Sequence, residues 1–211
     1  MHFRLAHGAP CAIFLSVLAG CHAQSSAPPA APPMAAAAAA PVATTAAEVA
    51  EPTKFCSTPE RHQFDFWIGE WDVVMRSHPG DDLTKEWVTS HGINRIRKRF
   101  DGCVIEEVFT SSDGPDGPWN GISISQWVPR ENTWRQTWTD NQGSYLLHYG
   151  GMEDGKMILY SPPRTRDGVT TQKRMVFFDI AKDSMNWRWE GTKDGGRTWT
   201  SEITMRYARR R

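Results

Sequence analysis

Ten residues, Phe64-Asp65-Phe66-Trp67-Ile68-Gly69-Glu70-Trp71-Asp72-Val73, constrain the fold more than any other stretch of this chain. An aromatic-rich turn passes through a glycine into an apolar/polar alternation with the period of a half-buried strand. Glycine permits the bend, and Trp71 presents a large apolar body with one polar N–H. A Gly-x-Trp at such a junction predicts that the indole plugs one end of a closed β structure, which gives Gly69 and Trp71 structural roles.

Short alternating runs follow near 70–77, 84–98, 103–110, 120–128, 133–139, 144–149, 156–161, 173–180, 185–191 and 197–207. Pro-Gly, Asp-Gly, Asn-Gln-Gly and Asp-Gly-Gly turns separate them. About ten consecutive antiparallel strands with short connections predict an all-β, up-and-down barrel rather than a Greek-key sandwich. His62–Phe66 reads as a helical turn that caps the barrel before its first strand.

The first 54 residues have a different character. Arg4 followed by the apolar run Cys11–Gly20, too short to span a bilayer, predicts an export signal over residues 1–20. Leu18-Ala19-Gly20-Cys21 resembles a bacterial lipobox, which implies cleavage before Cys21 and acylation of its thiol. His22 stands where an Asp would signal inner-membrane retention, so the expected location is the outer membrane, with the domain facing the periplasm. Residues 21–54 are dominated by Ala and Pro, with six alanines at 35–40, and have nothing to bury a core; they predict a disordered, semi-extended tether.

Residues 55–211 suffice for one domain. Arg4, Lys54, Glu48 and Glu51 are the only Lys, Arg, Asp or Glu before Phe55, which leaves 22 of each sign in the domain. A neutral domain argues against nucleic acid as a partner, because phosphate binding needs a basic field. The runs Arg95–Arg99 and Arg209–Arg211 read as a solvated strand face and a chain end. With Cys11 removed and Cys21 acylated, Cys56 and Cys103 remain in an oxidising compartment and are expected to pair, stabilising the fold by roughly 4 kcal/mol on the loop-entropy argument. The histidines His62, His78, His91 and His148 lack ligand spacing to these cysteines, so no metal site is expected.

Strand parity separates two faces. Trp134, Gln136 and Trp138 share one, and Trp187 and Trp189 another, in a domain that holds all ten tryptophans of the chain. Polar residues alternate in phase with apolar ones: Gln136 with its tryptophans, Gln126 with Ile122 and Ile124, and Glu107 with Ile105 and Phe109. If these faces point inward, Glu107, Gln126 and Gln136 must find partners, since each unsatisfied buried group costs about 1–3 kcal/mol. Either they bond to one another and to trapped water, or they orient a ligand between Trp134, Trp138, Trp187 and Trp189; the sequence leaves both open.

Catalytic motifs are sparse. Gly121-Ile122-Ser123-Ile124-Ser125 lacks the last residue of a nucleophile elbow, and Walker, Rossmann and His-Glu-x-x-His patterns are absent. Glu70 and Asp72 share a strand face opposite Trp71 and read as a solvated pair. Thr192 to Trp199 resembles the Asp-box hairpin of sialidases; a single copy is a turn motif joining the last two strands.

The Phe64–Asp72 motif, Gly102-Cys103, Glu107, Trp134-Arg135-Gln136 and Asp194-Gly195-Gly196 through Trp199 together resemble a bacterial family of lipocalin-like (calycin) domains with no assigned activity. The resemblance covers nearly all of residues 60–209 and implies a ten-stranded barrel distantly like nitrobindins and fatty-acid-binding proteins. Such barrels often lay a basic residue over the first-strand indole, which implies Arg206 or Arg209 above Trp71. Nitrobindins bind haem through a histidine near the chain's end; here the last histidine is His148, in the middle, so that ligand is missing and the cofactor is left unassigned.

The function expected is therefore non-catalytic: a membrane-tethered barrel that binds a small apolar or amphipathic molecule. The alternatives are an enzyme acting inside the barrel and a closed domain serving envelope assembly, its interior packed solid by the tryptophans.

Overall fold

The computed structural model describes residues 56–211. The signal segment, Cys21 and the Ala/Pro-rich stretch lie outside the described residues. Strands β1 (Gly69–Ser77), β2 (Val88–Arg99), β3 (Val104–Ser111), β4 (Trp119–Val128), β5 (Thr133–Asp140) and β6 (Tyr145–Glu153) each pair antiparallel with the next, ending at β7 (Lys156–Tyr160). A three-residue ribbon, β8 (Arg164–Arg166), pairs only with the start of β9 (Val169–Phe178) and stands outside the ring. β9 continues from β7 through β10 (Ser184–Thr192) to β11 (Thr200–Arg209), which returns to β1. The result is a closed barrel of ten antiparallel strands, in which every barrel edge finds a partner.

The predicted helical turn is two short 3-10 turns, Pro59–His62 and Asp65–Trp67, and they plug the end at which β1 begins. Phe64 meets Trp134 edge to face at 4.8 Å and Phe177 at 5.7 Å, and Trp67 packs on Phe177 at 5.1 Å. The Trp71 indole donates to the Trp67 carbonyl (2.8 Å). Gly69 has φ +130°, and a Cβ there would collide with the Arg209 guanidinium. That guanidinium lies 4.0 Å over the Trp71 ring and donates to the Ile68 carbonyl (2.8 Å). The Cys56–Cys103 disulfide, with the Arg61 guanidinium donating to the Cys103 carbonyl, ties the plug to the β2–β3 turn.

Arg206 does not cover Trp71. The β1–β11 register sets Trp71 opposite Arg209 and places Arg206 opposite Val74 on the exposed outer face. The first strand follows its predicted parity: Trp71, Val73 and Met75 are buried, while Glu70 and Asp72 are exposed.

Candidate functional site

Near the plugged end the barrel is filled by aromatics; toward the other end the same inner face opens into a cavity of about 750 Å³. Its mouth is framed by the β1–β2, β3–β4, β5–β6 and β10–β11 connections. Trp119 and Trp138 form one aromatic wall, and Trp187 and Trp189 another. The first two rings meet at 5.7 Å, and both indole N–H groups donate to the Asp140 carboxylate (3.0 and 2.8 Å). Burial opposes ionisation of Asp140, but these donors and the Ser144 backbone N–H prevail and bring it down to about 2. Trp187 and Trp189 lie nearly parallel along β10, at 6.5 Å. Lys173 and Glu202 form an ion pair at the rim.

The cavity floor carries polar groups that follow from register. Across β3, β4, β5 and β6, Glu107 faces Ser123, Ser125 faces Gln136, and Gln136 faces His148. The small residues of β4 make room for the large ones beside them: Ser123 and Ser125 for Glu107 and Gln136, and Gly121 for Trp138, whose ring occupies the space a Cβ would need. Asn94 Nδ2 donates to one Glu107 oxygen (2.7 Å) and Ser123 Oγ to the other (2.5 Å). Burial pushes the Glu107 carboxyl up to about 7, with these two donors pulling the other way. Tyr207 accepts from the same Asn94 amide (3.3 Å); burial and the neighbouring Glu107 charge raise its phenol far above the ordinary range.

Three groups in this network keep unpaired atoms: Asn94 at its Oδ1, Gln136 and His148. Gln136 Nε2 donates to Ser125 Oγ (3.0 Å), but its Oε1 meets no protein partner. Both ring nitrogens of His148 also lack one, although the residue is only 1% exposed and packs edge-on against Trp189 at 5.4 Å. Burial holds this imidazole down to about 4, so it is neutral at physiological pH and presents one donor and one acceptor.

The structure thus brings Glu107, Gln136, Trp138, Trp187 and Trp189 to one cavity, as their parity predicts. Two sequence-predicted residues lie elsewhere. Gln126 is exposed on the outer face together with Ile122 and Ile124, because β4 turns its Gly121, Ser123, Ser125 and Trp127 inward. Trp134 faces inward but belongs to the plug, packed on Phe64 and Trp127 with its N–H donated to Gln63 Oε1 (3.0 Å). Sequence reasoning missed Asn94, Trp119, Ser123, Asp140 and His148. The Asn141-Gln142-Gly143 turn could have signalled His148, since counting across that hairpin sets it opposite Gln136.

Over residues 57–209 the chain matches the family described as protein of unknown function (DUF1579), and it belongs to that family. No curated protein matches the chain. Among solved structures, the S-type phycobiliprotein lyase CPES from Guillardia theta is similar at 12% identity and a TM-score of 0.44, over 70% of this chain and 90% of that one. EF1p2_mFAP2b bound to DFHBI is similar at 15% identity and a TM-score of 0.37, over 72% of this chain and 99% of that one.

Proposed function

We propose that this member of the family is a non-catalytic carrier or sensor that binds a small amphipathic molecule inside its barrel while tethered to the cell envelope through an acylated Cys21. The observation that carries the reading is the cavity itself: about 750 Å³ walled by tryptophans, with unpaired Gln136 and His148 at its floor. A purely structural barrel gains nothing from leaving such groups unsatisfied, each at a cost of about 1–3 kcal/mol, whereas a ligand with complementary polar atoms recovers that loss. The volume suits a drug-sized molecule. A domain packed solid by its tryptophans, the envelope-assembly alternative, would have no such space.

Chemistry inside the barrel rests on one observation, a Glu107 carboxyl titrating near neutrality, the property of a general acid or base. Both of its oxygens already accept hydrogen bonds from Asn94 and Ser123, which favours a fixed polar anchor. Mass spectrometry of small molecules carried through gentle purification tests the two together: a ligand recovered intact supports binding, and turnover of that ligand by the protein supports catalysis. Gln136→Leu keeps side-chain size and removes the amide; it should weaken ligand-induced quenching of tryptophan fluorescence without unfolding the barrel. If that variant instead loses its fold and no ligand is ever recovered, the floor is a structural network and the binding reading fails.

A further inference from the structure

The charges around the cavity are strongly unequal although the domain as a whole is neutral. Among the described residues that line it are six carboxyl groups, Asp81, Asp82, Asp116, Asp140, Glu202 and the buried Glu107, which burial holds partly protonated at neutral pH, and two lysines, Lys173 and Lys193. Lys173 is neutralised by Glu202. Asp81, Asp82 and Asp116 stand on the loops at the mouth, held close by the Gly80 N–H donating to Asp116 (2.8 Å). At the floor the ionisable groups are Glu107, a neutral His148 and the Tyr207 phenol, whose ionisation burial and Glu107 oppose, with no arginine or lysine beside them among the described residues.

We propose that the cavity recognises an organic cation, an ammonium or similar N–H-bearing group on an apolar body, with its positive end directed at Glu107, Gln136 and His148. This rests on the binding reading above and adds the identity of the ligand's polar end. Three independent features converge on it. An acidic mouth framed by low-dielectric walls raises the local concentration of cations. The faces of Trp119, Trp138, Trp187 and Trp189 attract a positive group through their quadrupoles, more strongly once water is displaced. The unpaired Gln136 Oε1 and the acceptor nitrogen of neutral His148 both call for donors, which an ammonium supplies and a carboxylate lacks. A fatty-acid carboxylate would instead lie beside Glu107 with no cation to receive it, and burying an unpaired charge is disfavoured.

Three probes sharing one aromatic body separate the possibilities: 1-naphthylmethylammonium, 1-naphthalenemethanol and 1-naphthoate, each titrated calorimetrically at neutral pH. The ammonium should bind roughly tenfold or more tighter than the other two, on the strength of a desolvated cation–π contact. Glu107→Gln should narrow that advantage by several-fold while leaving the alcohol's affinity unchanged, the remainder being what the indole faces supply. Salt provides a readout that needs no variant: ammonium affinity should fall as ionic strength rises, and alcohol affinity should not. Equal affinity for all three probes, preference for the carboxylate, or the same salt response for ammonium and alcohol would overturn the cation proposal while leaving a binding barrel. Failure of all three probes to bind, with no molecule recovered from the purified protein, would overturn both.

Discussion

Replacing Glu107 by Gln should tilt the pH dependence of stability by an amount that follows from two buried groups. Burial raises the carboxyl from 4.5 to about 7, so the fold keeps a proton that the unfolded chain releases. Its stabilising contribution is complete below pH 4.5 and lost as pH rises through about 7, in total roughly 3 kcal/mol at about 1.4 kcal/mol per unit. His148 runs the other way. Burial lowers it from 6.5 to about 4, so its contribution is complete above pH 6.5 and lost as pH falls through about 4, again roughly 3 kcal/mol. Between pH 4.5 and 6.5 the two slopes oppose each other, and the pair leaves wild-type stability nearly flat. Glu107→Gln preserves size and a polar partner for Asn94 and Ser123 but removes the falling limb. Relative to wild type, the variant should gain roughly 3 kcal/mol between pH 4.5 and 7, and His148→Asn should show the mirror image by losing roughly as much between pH 4 and 6.5. Urea unfolding followed by tryptophan fluorescence across this range measures both, with unchanged m-values as the check on two-state behaviour. Surface carboxylates such as Asp65 and Glu106, held below their ordinary value in both proteins, cancel in the difference. A wild-type-minus-variant difference that does not change with pH would refute the argument that Glu107 is buried with its proton.

Trp71→Ala should destabilise by roughly 3–5 kcal/mol in the same unfolding assay, since the ring is fully buried, stacks beneath Arg209 and donates to the Trp67 carbonyl; a loss under about 1 kcal/mol would remove it from the plug. Reducing the Cys56–Cys103 bridge, or replacing both cysteines by Ser, should lower stability by roughly 2–4 kcal/mol, and peptide mapping of protein isolated without reductant should recover the linked pair. Free, alkylatable thiols at both positions would refute the pairing. Cys21→Ser should move the protein from the membrane fraction to the soluble one, because acyl chains supply the expected affinity; continued membrane association would sink the anchor.

Much of the barrel is legible in the chain because its signals are local. Period-2 alternation and turn residues mark strands within a few neighbours, so the number of barrel strands, the hairpin at Asp194-Gly195-Gly196 and the capping turn before Gly69 could all be read in order. In that hairpin Thr192 and Asp194 satisfy the backbone N–H groups of Gly196 and Thr198. What alternation leaves undecided is which of two faces turns inward, and on β4 the more apolar face is the wrong guide. Ile122 and Ile124 face outward because Trp138, Glu107 and Gln136 on the flanking strands occupy the space that only Gly121, Ser123 and Ser125 leave free. Gln126 follows that parity to the surface. Closure decided the rest: the meeting of β11 with β1 selects Arg209 over Arg206 above Trp71, and insertion of Phe64 takes Trp134 into the plug. His148 shows the same limit most sharply. Its side-chain chemistry is apparent from its identity, but its burial without a partner depends on β6, five strands from β1 in either direction round the ring, being enclosed when the barrel closes, and no local pattern records that distance.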